Sequence, residues 1–140
     1  MIYLFDTLDL YTTYGIKVMK AYGVHDFLKR KGETGHNWLD EDGEEHYTDA
    51  SDIYFEPRDI VLECYIRAAS TTTLLSNFNA FKAVVESAGL HTLKLPYDSK
   101  TYSVYVKDGG NFSMITPWAS NVLIGRFTLT LREPVPARAT

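Results

Sequence analysis

The sequence predicts an α+β fold that is mainly β: an antiparallel β-sandwich or partly open barrel with one packed α-helix. Three observations carry this. The 140 residues include ten tyrosines and seven phenylalanines, and aromatic side chains suit a pleated, half-buried surface. Several segments alternate apolar and polar residues with a period of two, and one segment steps by three and four instead. The order is strands, a long loop, a strand, the helix and three more strands, which favours an antiparallel sheet with a helix beside it.

Taken along the chain, Ile2–Phe5, Ile16–Lys20 and Thr92–Leu95 are short strand candidates. Asp59 to Arg67 is a stronger one. Ile60, Leu62, Cys64 and Ile66 share one face, and Val61, Glu63, Tyr65 and Arg67 share the other. Thr101 to Lys107 places Tyr102, Val104 and Val106 opposite Ser103, Tyr105 and Lys107. Val122 to Arg132 is the longest case: Leu123, Phe127, Leu129 and Leu131 alternate with Arg126, Thr128, Thr130 and Arg132. Gly125 falls on its apolar face, where glycine marks a bulge or a close approach. Between these strands, Thr72 to Ala88 carries Leu74, Leu75, Phe78, Phe81, Val84, Val85 and Ala88 in one helical stripe. Ser70, Thr71 and Thr72 offer N-caps, and Gly89 is placed to end the helix as its C′ residue. Pro96-Tyr97-Asp98-Ser99 reads as a hairpin connection. Residues 31–55 form an acidic loop or a hairpin about Asp42-Gly43. Residues 1–133 read as one domain and 134–140 as a flexible tail.

Composition narrows the chemistry. Fourteen basic against 18 acidic side chains give a net charge of −4, which argues against a whole-surface field for nucleic acid. One cysteine, Cys64, permits neither an internal disulfide nor a multi-cysteine zinc cluster. No apolar run has the ~20 residues of a membrane helix, and Met1–Gly15 lacks the basic start of a signal peptide.

The acidic loop invites a calcium reading, which its spacing fails. Counted from Asp40, the sixth position is Glu45 where an EF-hand needs glycine, and the twelfth is Ser51 where it needs glutamate. The histidines His25, His36, His46 and His91 include no pair at zinc-motif spacing. Cys64 lies on an apolar strand face, where thiols are inert. No nucleophile-elbow, dinucleotide or phosphate-loop motif is present, and the expectation is a non-enzyme without metal or cofactor. Tyr65, Tyr105 and Phe112 look exposed and aromatic enough to stack on bases, yet basic groups cluster only at Lys29-Arg30-Lys31. Sequence-specific nucleic-acid binding is not expected.

Large groups stand on both faces of several strands, and one helix cannot cover both faces of a sheet. Either the sheet folds over or a partner subunit covers the remainder. Tyr and Arg anchors on the mixed faces are the expected oligomer interface: Tyr65, Tyr105, Arg126 and Arg132. A small ligand- or carbohydrate-binding β-domain is the alternative, with Trp38 and Trp118 as its candidate platforms.

The stretch from Asp52 to Pro136 resembles the N-terminal domain of siphophage distal tail proteins, the baseplate hub component. The resemblance rests on Phe55-Glu56-Pro57-Arg58 leading into an alternating strand, then the capped helix. It continues through Leu93-Lys94-Leu95-Pro96-Tyr97 and Tyr102-Ser103-Val104-Tyr105-Val106, and closes on Phe127 to Pro134. Gly15-Ile16-Lys17-Val18 and the segment Trp38 to Gly43 are also similar to members with an aspartate-glycine loop. The resemblance implies a tail-tube-like fold and a structural subunit of a phage or prophage tail. It implies a homo-oligomeric, hexameric ring that contacts other tail proteins and continues the tail tube, located in the virion tail; tail tube and tail terminator are the neighbouring possibilities. An acidic loop then suits a channel that DNA crosses, with Asp40, Glu41, Asp42, Glu44 and Glu45 facing the lumen.

Overall fold

The computed structural model describes residues 2–29, 31, 35–36, 39, 42, 45–46, 54–119 and 121–136. The chain begins with β1 (Leu4–Phe5) and β2 (Leu8–Asp9), continues through the short helix α1 (Leu10–Tyr14) and reaches β3 (Ile16–Tyr22). Two short strands follow, β4 (Gly35–His36) and β5 (Glu45–His46). Then come β6 (Arg58–Ala68), α2 (Thr71–Val85), β7 (His91–Lys94), β8 (Thr101–Gly109), β9 (Ser113–Met114) and β10 (Leu123–Glu133). Eight strands form one open antiparallel sheet in the order β2-β1-β7-β8-β10-β6-β3, with β9 also beside β10. β4 and β5 pair separately.

The centre of the sheet is the β6–β10 ladder, in which eleven pairs run from Leu123↔Ala68 to Glu133↔Arg58 without a slip. The alternation in the two sequences meshes. Phe127 lies opposite Cys64, Leu129 opposite Leu62 and Leu131 opposite Ile60, all buried. Each such aliphatic side chain contributes about 1.5–3 kcal/mol over exposure, and a one-residue slip would turn the whole set outward. β8 serves two neighbours in succession. Its first half, through Val104, pairs with β7, and its second half, from Tyr105, pairs with β10. A register shift between Thr130 and Leu131 leaves Lys107 as the extra residue of a bulge there. Strands that change partners through a bulge turn a sheet's corner, and this one carries the β1–β2–β7 half over the inner face.

Helix α2 packs Leu74, Phe81 and Val85 onto that face. Its rings form a continuous run: Phe112–Phe78 at 4.7 Å, Phe78–Phe127 at 5.3 Å, Phe127–Phe81 at 6.1 Å, then Tyr14 and Phe5 against Phe81 at 5.4 and 6.1 Å. Phe112, expected to be exposed, is half-buried because its ring lies across Gly125, in the space a Cβ would need. Gly125 therefore marks a close approach; the ladder has no bulge at that point.

Helix α2 starts where its cap predicts, the Ser70 hydroxyl accepting from the Thr73 amide. It ends at Val85 and not at Ala88, because Ser87 turns back: its amide and its hydroxyl both donate to the Val84 carbonyl. Gly89 lies beyond this end, with φ +93°. A second helix, α1, was not expected. Asp9 caps its start and Gly15, with φ 70°, its end. β4 and β5 pair Gly35 with His46 and His36 with Glu45, while Gly43 of the expected Asp42-Gly43 turn lies outside the described residues. The stem of this excursion is defined: the Lys31 amide donates to Tyr54 and the Glu56 amide to Lys29. Of the expected tail, Val135 is exposed and residues 137–140 lie outside the described set. No described helix is long and apolar enough to cross a membrane.

Candidate functional site

The outer face of β3, β6 and β10 carries the side chains that the alternation left out of the core. Residues opposite one another in an antiparallel sheet share a face, so the registers arrange this surface in rows. Arg67 lies opposite Ile124, and the next row is Lys17–Tyr65–Arg126. Lys20–Glu63–Thr128, Tyr22–Val61–Thr130 and Asp59–Arg132 follow, with Tyr105 beside Arg132. All four residues expected at an interface therefore stand on one surface, in two groups at opposite ends of it.

The two ends differ electrostatically. At the Arg132 end the charges are satisfied within the chain. Asp59 accepts from Arg132 Nε at 2.9 Å and from Lys107 Nζ at 3.1 Å. The Arg132 bond, reinforced by Lys107, holds the Asp59 carboxyl below its ordinary value. In the middle, Tyr22 donates to Glu63 at 3.1 Å, which raises the phenol's pKa, and Lys20 lies over the Tyr22 ring. At the other end Lys17, Arg67 and Arg126 are exposed and form no ion pair among the described residues. Between them lies a shallow groove lined by Met19, Tyr65, Arg67, Ile115, Val122 and Ile124. Met19 reaches it because β3 bulges between Val18 and Lys20. This basic-rimmed apolar groove is the candidate functional surface.

The acidic candidates are placed only in part. Asp42 is exposed, the backbone of Glu45 lies in β5, and Asp40, Glu41 and Glu44 fall outside the described residues, as does Trp38. Trp118 is exposed near the start of α2, where its carbonyl accepts from Thr71.

Two polar clusters escaped sequence reading because they join residues far apart in the chain. Arg58 and Glu133 close the ladder with a buried ion pair at 2.7 Å, their side chains 11% and 2% exposed. Arg58 also stacks over the ring of Tyr102, whose hydroxyl donates to Asp98; burial, helped by that carboxylate, pushes the phenol up to about 12. Ser87, His91 and Asp6 form the second cluster, with Ser87 Oγ 3.5 Å from His91 Nε2 and His91 Nδ1 2.6 Å from Asp6 Oδ2. The sequence of groups is that of a hydrolytic triad, but the setting differs. Ser87 commits its hydrogen to Val84 and sits at the C-terminal end of α2, where carbonyl dipoles oppose a developing oxyanion. The buried imidazole stacks on Phe5 and ties the β1–β2 turn to the end of α2. Asp6 also accepts from the Thr92 amide at 3.0 Å, which holds the turn onto β7. Among the described residues no group of His, Cys, Asp and Glu is placed to hold a metal. Burial pushes the Cys64 thiol up to about 12, out of nucleophilic range.

No family model matches the sequence, and no curated protein sequence matches it. Among solved structures the chain is similar to the crystal structure of the SPP1 Dit (gp 19.1) protein, described there as a paradigm of hub adsorption apparatus in phages infecting Gram-positive bacteria. The TM-score is 0.66 at 12% identity, and the match covers 96% of this chain and 50% of that one. The likeness is one of fold, and this chain spans half of that protein's length.

Proposed function

We propose that this chain is a structural subunit of a phage or prophage tail, a distal-tail or baseplate-hub component that forms a ring continuing the tail tube. The likeness to a hub protein over 96% of the chain is the observation that supports it. The half-covered outer face is consistent with it, because a sheet surface with tyrosine and arginine anchors suits a subunit contact. The ring is read as a hexamer in the virion tail, in contact with other tail proteins. A head-to-tail contact closes into such a ring when the rotation per subunit permits.

Size exclusion with light scattering tests this. The purified chain forms a discrete multimer, and Tyr65→Ala or Arg126→Ala each weakens its association by about 2 kcal/mol, the range of interface hot spots. Tyr105→Ala and Arg132→Ala act less, since Arg132 already spends its charge on Asp59. A strict monomer at every concentration, alone and with neighbouring tail proteins, would overturn the reading.

A further inference from the structure

His91 lies buried with only acceptors at its two ring nitrogens. Nδ1 is 2.6 Å from Asp6 Oδ2. Nε2 is 3.3 Å from the Ser87 carbonyl and 3.5 Å from the Ser87 hydroxyl oxygen. That hydroxyl donates its own hydrogen to the Val84 carbonyl at 2.6 Å, so toward the ring it can only accept. A neutral imidazole has one N–H and one bare nitrogen. Either tautomer would set a nitrogen lone pair against oxygen lone pairs, and the Asp6 carboxylate would be the worse neighbour. The surroundings favour a cation instead. Phe5 stacks on the ring at 5.3 Å, and the last carbonyls of α2 carry the negative end of its dipole. Among the described residues the Asp6 pair is the one ion pair His91 makes; Asp9, Lys82, Glu86 and Lys94 on the adjoining elements pair with neither group. The turn that holds Asp6 needs this anchor. Phe5 and Leu8 pair across the two residues Asp6 and Thr7, whose φ values are 51° and 68°. Such a turn ordinarily takes Asn-Gly or Asp-Gly, and a β-branched threonine at positive φ is strained. β1 joins β7 through only two pairs, Leu4↔Lys94 and Phe5↔Leu93.

We infer that His91 is an imidazolium in the folded chain at neutral pH, and that its pair with Asp6 is a pH-sensitive clip between the β1–β2 turn and the end of α2. The inference is independent of the ring reading. Raising the pH removes a proton to solvent from Nε2, because the carboxylate holds the one on Nδ1. The bare Nε2 then faces the Ser87 carbonyl. Ser87 relieves the conflict by turning its hydroxyl from Val84 to Nε2, which breaks a bond that closes the last turn of α2. The helix end and the strained turn therefore loosen together. In the other direction, acid protonates Asp6 and removes the pair's charge. The clip's contribution to stability is present while the imidazole keeps its second proton and is lost as pH rises past the release of that proton.

Ring-nitrogen NMR of the isotope-labelled full chain tests this, with His91→Gln identifying the resonances. At neutral pH the two His91 nitrogens are expected to resonate together, each bonded to a proton, as in imidazolium. One protonated and one bare nitrogen, resonating far apart, would overturn the inference. As the pH is raised, the Asp6 and Ser87 amides follow the same titration curve as the His91 ring, while the exposed His25 titrates on its own. Amides that stay still while the ring titrates would refute the coupling between turn and helix end. Asp6→Asn keeps a side-chain oxygen for the Thr92 amide but removes the charge. It weakens proton binding at His91 at least about tenfold, equivalent to about 1.4 kcal/mol, and an unchanged midpoint would overturn the inference. The ring-nitrogen reading uses the unaltered chain, so it decides the protonation state even where Asp6→Asn fails to fold.

Discussion

Gly125 shows how one missing side chain organises its surroundings. It occupies a buried position of β10 between Leu123 and Phe127, and the Phe112 ring fills the space where a Cβ would be. That ring then reaches Phe78 and starts the aromatic run beneath α2. Gly125→Ala forces the ring away and costs about 1–3 kcal/mol, as overpacking does; urea denaturation measures the loss, and Gly125→Ala/Phe112→Leu recovers part of it. Arg58 and Glu133 make a contrasting point at the same scale. They stand where the buried row of the ladder continues past Leu131 and Ile60, so a charge pair takes the place of an aliphatic one. Arg58→Met alone leaves the Glu133 carboxylate without its guanidinium and destabilises by about 3–5 kcal/mol, whereas Arg58→Met/Glu133→Leu costs far less. Chemical denaturation of the three proteins decides it: equal losses in the single and double variants would contradict this account.

Among the elements, the β8–β10–β6 junction is stapled by Asp59, which reaches Arg132 on the neighbouring β10 and, beyond that strand, Lys107 at the bulge of β8. Its carboxyl titrates lower in the folded chain than the 3.8 of the free group. The stabilisation is complete above that unfolded value and disappears as pH falls through the lower folded one. Asp59→Asn therefore lowers the melting temperature at pH 7 and flattens the decline between about pH 5 and pH 2; melting curves across that range check it. How legible these elements were in the sequence depended on their length. The faces of β6 and β10 were readable residue by residue, because eleven positions of strict alternation leave one solution. α1 was not, since five residues show no period and its evidence is two caps, Asp9 and Gly15. The end of α2 was overrun because Ala88 continued the apolar stripe while Ser87 had already closed the turn on Val84. The bulges at Met19 and Lys107 leave no mark in composition, and both set what the outer face presents.

For the whole molecule, the interface candidates were legible as residue types on a face, but their grouping was not. Only the register shows that Tyr65 is flanked by Lys17 and Arg126, while Arg132 and Tyr105 stand apart around Asp59. The acidic segment was visible as a charge run, and of its residues whose burial is described Lys31, Leu39 and Asp42 are exposed. The stem holds Lys31 and Tyr54 together, so replacing residues 32–53 with Asn-Gly, a favoured two-residue hairpin turn, leaves the melting temperature within about 4 °C, a change of about 1 kcal/mol; calorimetry checks it. The long ladder at the centre has a consequence for synthesis. Its pairs join residues up to 75 positions apart, so β6 leaves the ribosome several seconds before β10 at about 5–20 residues per second. Through that interval one side of β6 has only β3 to pair with and its other edge lies open. The nascent chain is most vulnerable to aggregation then, and a chaperone that holds the strand between Arg58 and Ala68 would do most for yield.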